Sequence, residues 1–141
     1  MNPYDEVYVA DIMTKQGRVF FDIRHVLPGV DEKWFVNEYM NGRVRRLLDH
    51  ANPKFAAMPP PELIDYFIRE EKGGIYKKGE EWGGFLPQWV GMIYALYQWR
   101  YNVPSNALIK MLPLEVMERI YPTLHQASMD TAMQKIHDEV I

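Results

Sequence analysis

The sequence predicts an all-α fold: a single domain over 1–141, built of seven or eight helices around one buried helix at about 87–101. Three observations carry this. The run PQWVGMIYALYQWRY is apolar on nearly every side, the mark of a helix buried on most faces. Elsewhere, apolar residues recur at steps of three and four rather than two. Proline, glycine, Asn-Gly and Asn-Pro breaks then divide the chain into helix-length segments with short connections.

The central run has two stripes. Trp89, Ile93, Leu96 and Trp99 or Arg100 form one, and Val90, Tyr94, Tyr97 and Tyr101 form the other. Its rod of about 22 Å is short for a membrane span, and Gln88, Gln98 and Arg100 argue against lipid. Pro87 suits a first turn, where its missing N–H costs nothing. Gly91 costs about 1 kcal/mol relative to alanine inside a helix, which predicts a second helix crossing there.

Taken in order, Asn2-Pro3 reads as a helix start, with Asn2 as cap. A helix over about 3–27 would place Val9, Met13, Phe20, Ile23 and Leu27 on one broad face and stop before Pro28-Gly29. The rival is a strand at 19–23, where Val19, Phe21 and Ile23 alternate with Phe20 and Asp22. Asp31 caps a helix over about 31–41, and Asn41-Gly42 ends it. A short helix over about 43–50 follows, with Val44, Leu47 and Leu48 inward and Arg43, Arg45 and Arg46 outward. Four prolines make 53–61 an extended connector. A helix from Pro60 or Pro61 to about 72 buries Leu63, Ile64, Phe67 and Ile68. Residues 73–86 form the longest loop, in which Trp82 and Phe85 are expected to pin the central helix to the core. Ser105 caps a helix over about 105–111. A further one starts at Pro113 and should be kinked or interrupted at Pro122. Ser128 caps the last, over about 128–140.

Composition narrows the function classes. The chain is 48% hydrophobic and 25% charged, which is globular rather than disordered. A net charge of −3 gives no broad pull toward nucleic acid or anionic lipid. Without cysteine there is neither a disulfide nor a thiolate metal site. The acidic start MNPYDEVYVAD has no signal-peptide pattern, and no lipidation motif occurs, so the expectation is a soluble cytoplasmic protein with no membrane partner.

No chemical motif stands out, so no catalytic residue, metal ligand or cofactor is assigned. The four histidines lack H-E-x-x-H and Glu-x-x-His spacing; Asp22 and His25 could share a metal only with partners the sequence does not single out. The doublets Glu70-Glu71 and Glu80-Glu81 read as solvated surface. Ser105 and Ser128 read as caps, and the glycine pairs lack the setting of a phosphate cradle. The candidate contact residues are Tyr76, Trp82 and Phe85 on the long loop and Arg100 at the end of the central helix. The basic cluster Arg43, Arg45 and Arg46, with Lys54 nearby, is the candidate nucleic-acid surface.

From about Trp89 to Ile141 the chain shows an aromatic helix with Tyr94 and Tyr97, a break from Asn102 to Ser105, the run Tyr121-Pro-Thr-Leu124-His125, and a closing helix with Ile136 and Val140. This part resembles a family of short bacterial all-helical domains of unknown function, encoded near ADP-ribosyltransferase-like toxins. The residues before Trp89 have no counterpart in it. The resemblance implies an accessory or antitoxin-like role and carries over no catalytic residues. The leading expectation is a non-enzymatic protein-interaction module that binds another protein or itself. The alternatives are a DNA- or RNA-binding regulator using the arginine cluster, and an enzyme with a site between the 73–86 loop and Arg100.

Overall fold

A helix that is apolar all round needs neighbours on all sides, and α6 (Leu86–Tyr101) has them. In the computed structural model, which describes residues 1–141, every residue from Trp89 to Trp99 except Met92 is buried. The helix packs most extensively on α1 (Val9–Val26). The two cross on glycines. A Cβ at Gly91 would lie 2.7 Å from the Gln16 carbonyl oxygen and 2.9 Å from the Gly17 Cα, and one at Gly17 would lie 3.0 Å from the Gln88 carbonyl oxygen. The crossing helix that Gly91 predicts is therefore α1.

Helix, not strand, is the state of 19–23. Burial follows the helical step: Val19, Phe20 and Ile23 are buried while Phe21 is only half-buried, whereas a strand would bury Phe21 and expose Phe20. Asn2-Pro3 does not start this helix. Asp5 caps a 3₁₀ turn, Glu6–Tyr8, by accepting from the Val7 N–H at 2.9 Å, and α1 begins only at Val9. Tyr4 is drawn out of a helical path because its carbonyl accepts from the Trp99 indole at 2.8 Å.

The next elements are α2 (Glu32–Met40), capped by Asp31, and α3 (Arg43–Leu48). The cap of α3 comes from another helix. The Glu71 carboxylate, on α5 (Pro60–Lys72), accepts from the Arg43 and Val44 N–H groups at 2.7 and 2.8 Å. Gly42 makes room, since a Cβ there would lie 2.6 Å from the Phe67 ring. The connector expected to be extended over 53–61 instead holds one helical turn, α4 (Pro53–Ala56). Asn52 caps it by accepting from the Lys54 N–H at 3.0 Å, and Pro53 sits at its first position. This turn raises the count to nine α-helices. Leu63, Ile64, Phe67 and Ile68 form the inner face of α5, which stops at Gly73 in the left-handed region.

The long loop is tied down. Asp31 and Glu32 donate backbone N–H bonds to the Lys77 and Glu80 carbonyls at 2.8 and 3.2 Å, and Gly79 donates to Gly29 at 3.0 Å. Glu32 is buried and pairs with Arg24 at 3.1 Å, while Arg24 also donates to the Trp82 carbonyl at 3.3 Å.

After α6 come α7 (Ser105–Met111), α8 (Leu114–Leu124) and α9 (Met129–Lys135), the last continuing as a π-turn over Ile136–Val140. Ser128 caps α9 as expected, accepting from the Thr131 N–H at 3.1 Å. Ser105 is not a cap but the first residue of α7, and its N–H donates to Asp49 at 3.2 Å. Helix α8 is not interrupted at Pro122, which lies in its last turn and forfeits a single backbone bond. No helix is long and apolar enough to cross a membrane.

The largest departure concerns Arg45. Expected outward, it is wholly buried. Its guanidinium donates to Asp49 at 3.0 Å and to the Gln16 side chain, and reaches Gln98 at 3.5 Å. Gln16 donates in turn to the Gly91 carbonyl at 2.7 Å, and Gln98 to the Asp49 carbonyl at 3.1 Å. Four helices, α1, α3, α6 and the start of α7, therefore meet on one ion pair. A buried arginine is tolerated only when paired and hydrogen-bonded, and these partners satisfy it.

Candidate interaction surface

The flank of α6 that is not covered by α1 or α7 meets α8 and α9, and two open hollows lie along it. The first, about 280 Å³, is bordered by Phe85, Trp89, Met92, Tyr121, His125 and Met129. The second, about 300 Å³, lies between α1, α6 and α9 and includes Met13, Leu96, Trp99, Arg100 and Asp130. Met129 borders both, so the two adjoin along one groove-like flank of α6.

Aromatic packing fixes its walls. Trp89 meets Tyr121 edge-on at 5.4 Å, and Tyr121 stacks on His125 at 4.5 Å. The His125 Nδ1 lies 2.8 Å from the Tyr121 carbonyl oxygen. A carbonyl only accepts, so Nδ1 carries the proton and Nε2 stays available on this exposed residue. Phe85, at the mouth, is 69% exposed although it stacks on Phe21 at 5.8 Å. The indole N–H of Trp89 is buried without an acceptor. Thioethers of Met13, Met92 and Met129 give the floor side chains that repack at little cost.

The sequence-picked residues divide. Phe85 and Arg100 lie at the two ends of the groove. Arg100 is neither free nor merely extended along apolar surface; it pairs with Asp130 on α9 at 2.7 Å. Trp82 is buried at 4% exposure and belongs to the core. Tyr76 is half-buried, with its hydroxyl donating to the Pro28 carbonyl at 3.2 Å, so it anchors the loop. The pinning expected of Trp82 holds, and that of Phe85 does not. Helix α6 sets Phe85 and Arg100 about 22 Å apart.

The arginine cluster is broken up. Arg43 and Arg46 are exposed, but Arg45 faces the core. Arg43 and Lys54 do come together, in a hollow of about 350 Å³ that also holds Glu70 and Glu71. Lys54 lies over the Phe55 and Tyr66 rings, at 5.4 and 4.9 Å. Asp22 pairs with Arg18 at 3.1 Å rather than with His25.

Sequence reasoning missed Tyr121, His125 and Met129 as surface residues. Tyr121 and Met129 share the helical spacing of core positions and His125 belongs to no motif, and only the packing of α8 and α9 beside α6 leaves them lining a groove. No protein-family model, curated protein or solved structure matches the chain.

Proposed function

We propose that this protein is a non-enzymatic interaction module that holds an apolar helical segment of another protein in the groove between α6, α8 and α9. The observation that carries this is Phe85: a phenylalanine left 69% exposed at the mouth of a methionine-floored, aromatic-walled groove. One apolar side chain of the segment would sit against Trp89 and Tyr121 and a second, a turn or two on, against Met13 and Leu96. The resemblance of 89–141 to domains encoded near toxins supports an accessory, antitoxin-like setting for such a partner. The nucleic-acid alternative is left with Arg43, Arg46 and Lys54, of which Arg43 and Lys54 face Glu70 and Glu71.

The test is affinity capture with quantitative mass spectrometry, comparing wild type with a Phe85→Asp/Met129→Glu variant of unchanged melting temperature. A partner enriched by wild type and lost by the variant is expected, and sedimentation shows whether that partner is a second copy. Equal capture by both proteins, or no partner with a strictly monomeric wild type, would overturn the reading.

A further inference from the structure

A larger hollow lies on the other side of α1. It measures about 440 Å³, within the range of about 300–1,000 Å³ typical of small-molecule sites. The first turns of α1 and the segment before it form one wall, with Tyr4, Tyr8, Asp11, Ile12 and Lys15. The turn after α3 and the short α4 form the other, where Ala51, Pro53, Ala56 and Ala57 leave the space open and His50 stands at the exposed edge. The lining is mostly apolar.

One polar group in it is incompletely served. The Lys15 ammonium is half-buried, and its hydrogen-bond partner is the Ala56 carbonyl, not a carboxylate. Burial holds its pKa below the usual lysine value, and the acid whose charge it feels, Asp11, is exposed at the rim. Tyr4 contributes its ring to the wall, while its hydroxyl is turned inward, inaccessible from the hollow and without a partner. Burial pushes its pKa up to about 12, so it is a neutral donor lacking an acceptor.

From this geometry we infer a binding site for a small carboxylic acid with an apolar body, its carboxylate paired with Lys15 and its body against Tyr8, Ile12 and the alanine wall. The head group is negative because the half-buried charge facing the cavity is an ammonium without an acid partner. It is single because no second buried cation lines the hollow. The body is apolar because, apart from His50 at the exposed edge, the side chains of the opposite wall are alanine methyl groups and a proline ring. This site is separate from the groove on α6 and stands whether or not that groove binds a partner.

Phenylacetate, its neutral isostere phenylacetamide and the cation phenethylamine are suitable probes, titrated into the ¹⁵N-labelled full chain by NMR. Phenylacetate should shift the amides of Tyr8, Lys15 and Ala51 saturably and bind about tenfold more tightly than phenylacetamide, the effect of one charge-assisted hydrogen bond. Lys15→Gln should bring the two within about twofold while leaving the remaining spectrum intact. Ala57→Trp, at an exposed position on the lip, should abolish binding of both. Equal binding of phenylacetate and phenylacetamide by wild type, tighter binding of phenethylamine, shifts centred on the Phe85–Met129 groove, or no saturable shift would each overturn the assignment.

Discussion

Arg45 is the residue whose environment decides most. It joins helices far apart in sequence through Gln16, Asp49 and Gln98, all of them buried. Removing one member of such a pair strands the other charge, whereas removing both does not. Arg45→Met should therefore lower unfolding free energy by about 3–5 kcal/mol, read from urea denaturation. Arg45→Met/Asp49→Leu should be less destabilised than the single variant, although Ser105 then loses the acceptor of its N–H. Nothing in the local sequence reveals this role. Along α3 an arginine facing inward reads like one facing outward, because Gln16 and Gln98, which make burial tolerable, arrive from other elements. Aliphatic and aromatic residues carry no such ambiguity, and for this reason Leu63, Ile64, Phe67 and Ile68 are legible in advance.

Elements meet closely in two places, and each gives a measurable consequence. At the α1–α6 crossing, Gly91→Ala would raise helix propensity by about 1 kcal/mol in isolation. Here the methyl would lie 2.7 Å from a backbone oxygen, which cannot swing aside. The helices must separate, and a net loss of about 1–3 kcal/mol in thermal or urea unfolding is expected. The second place is the latch between the long loop and α2. Burial raises the pKa of Glu32, against the lowering influence of the Trp82 backbone N–H and Arg24. A raised carboxyl pKa means the folded state binds the proton more tightly than the unfolded chain. The Glu32 contribution to stability is thus full below its unfolded value near 4.5 and is lost as pH rises through the folded value. The stability of wild type minus that of Glu32→Gln should shift in favour of wild type as pH falls from neutral to 4, and a pH-independent difference would rule the latch chemistry out. Element boundaries were legible where a side chain adjacent in sequence makes the cap, as Asp31 and Ser128 do. They were not where the cap comes from afar, as Glu71 does for α3, or where a helix of a single turn, α4, is too short to show a period.

For the whole molecule, the aromatic rod of α6 sits where its sequence pattern demands, in the middle, with α1 as its main partner. Hydrogen exchange should be slowest in the facing turns of α1 and α6 and faster in α9 and the π-turn, where only Ala132, Met133 and Ile136 are buried. Equal protection throughout would contradict a core organised on that pair. The fold class was legible because periodicity and breakers act locally. The groove and the cavity were not, since each is bounded by segments that only tertiary packing brings together.

Helix α1 divides those two hollows. Val9, Ala10 and Met13 look one way, while Asp11, Ile12 and Lys15 look the other. Its close contact at Gln16–Gly17 fixes the turn that follows against α6. One helix thus carries side chains into both hollows. Whatever factor an occupant on one side imposes on the affinity of its counterpart, the counterpart must return in full.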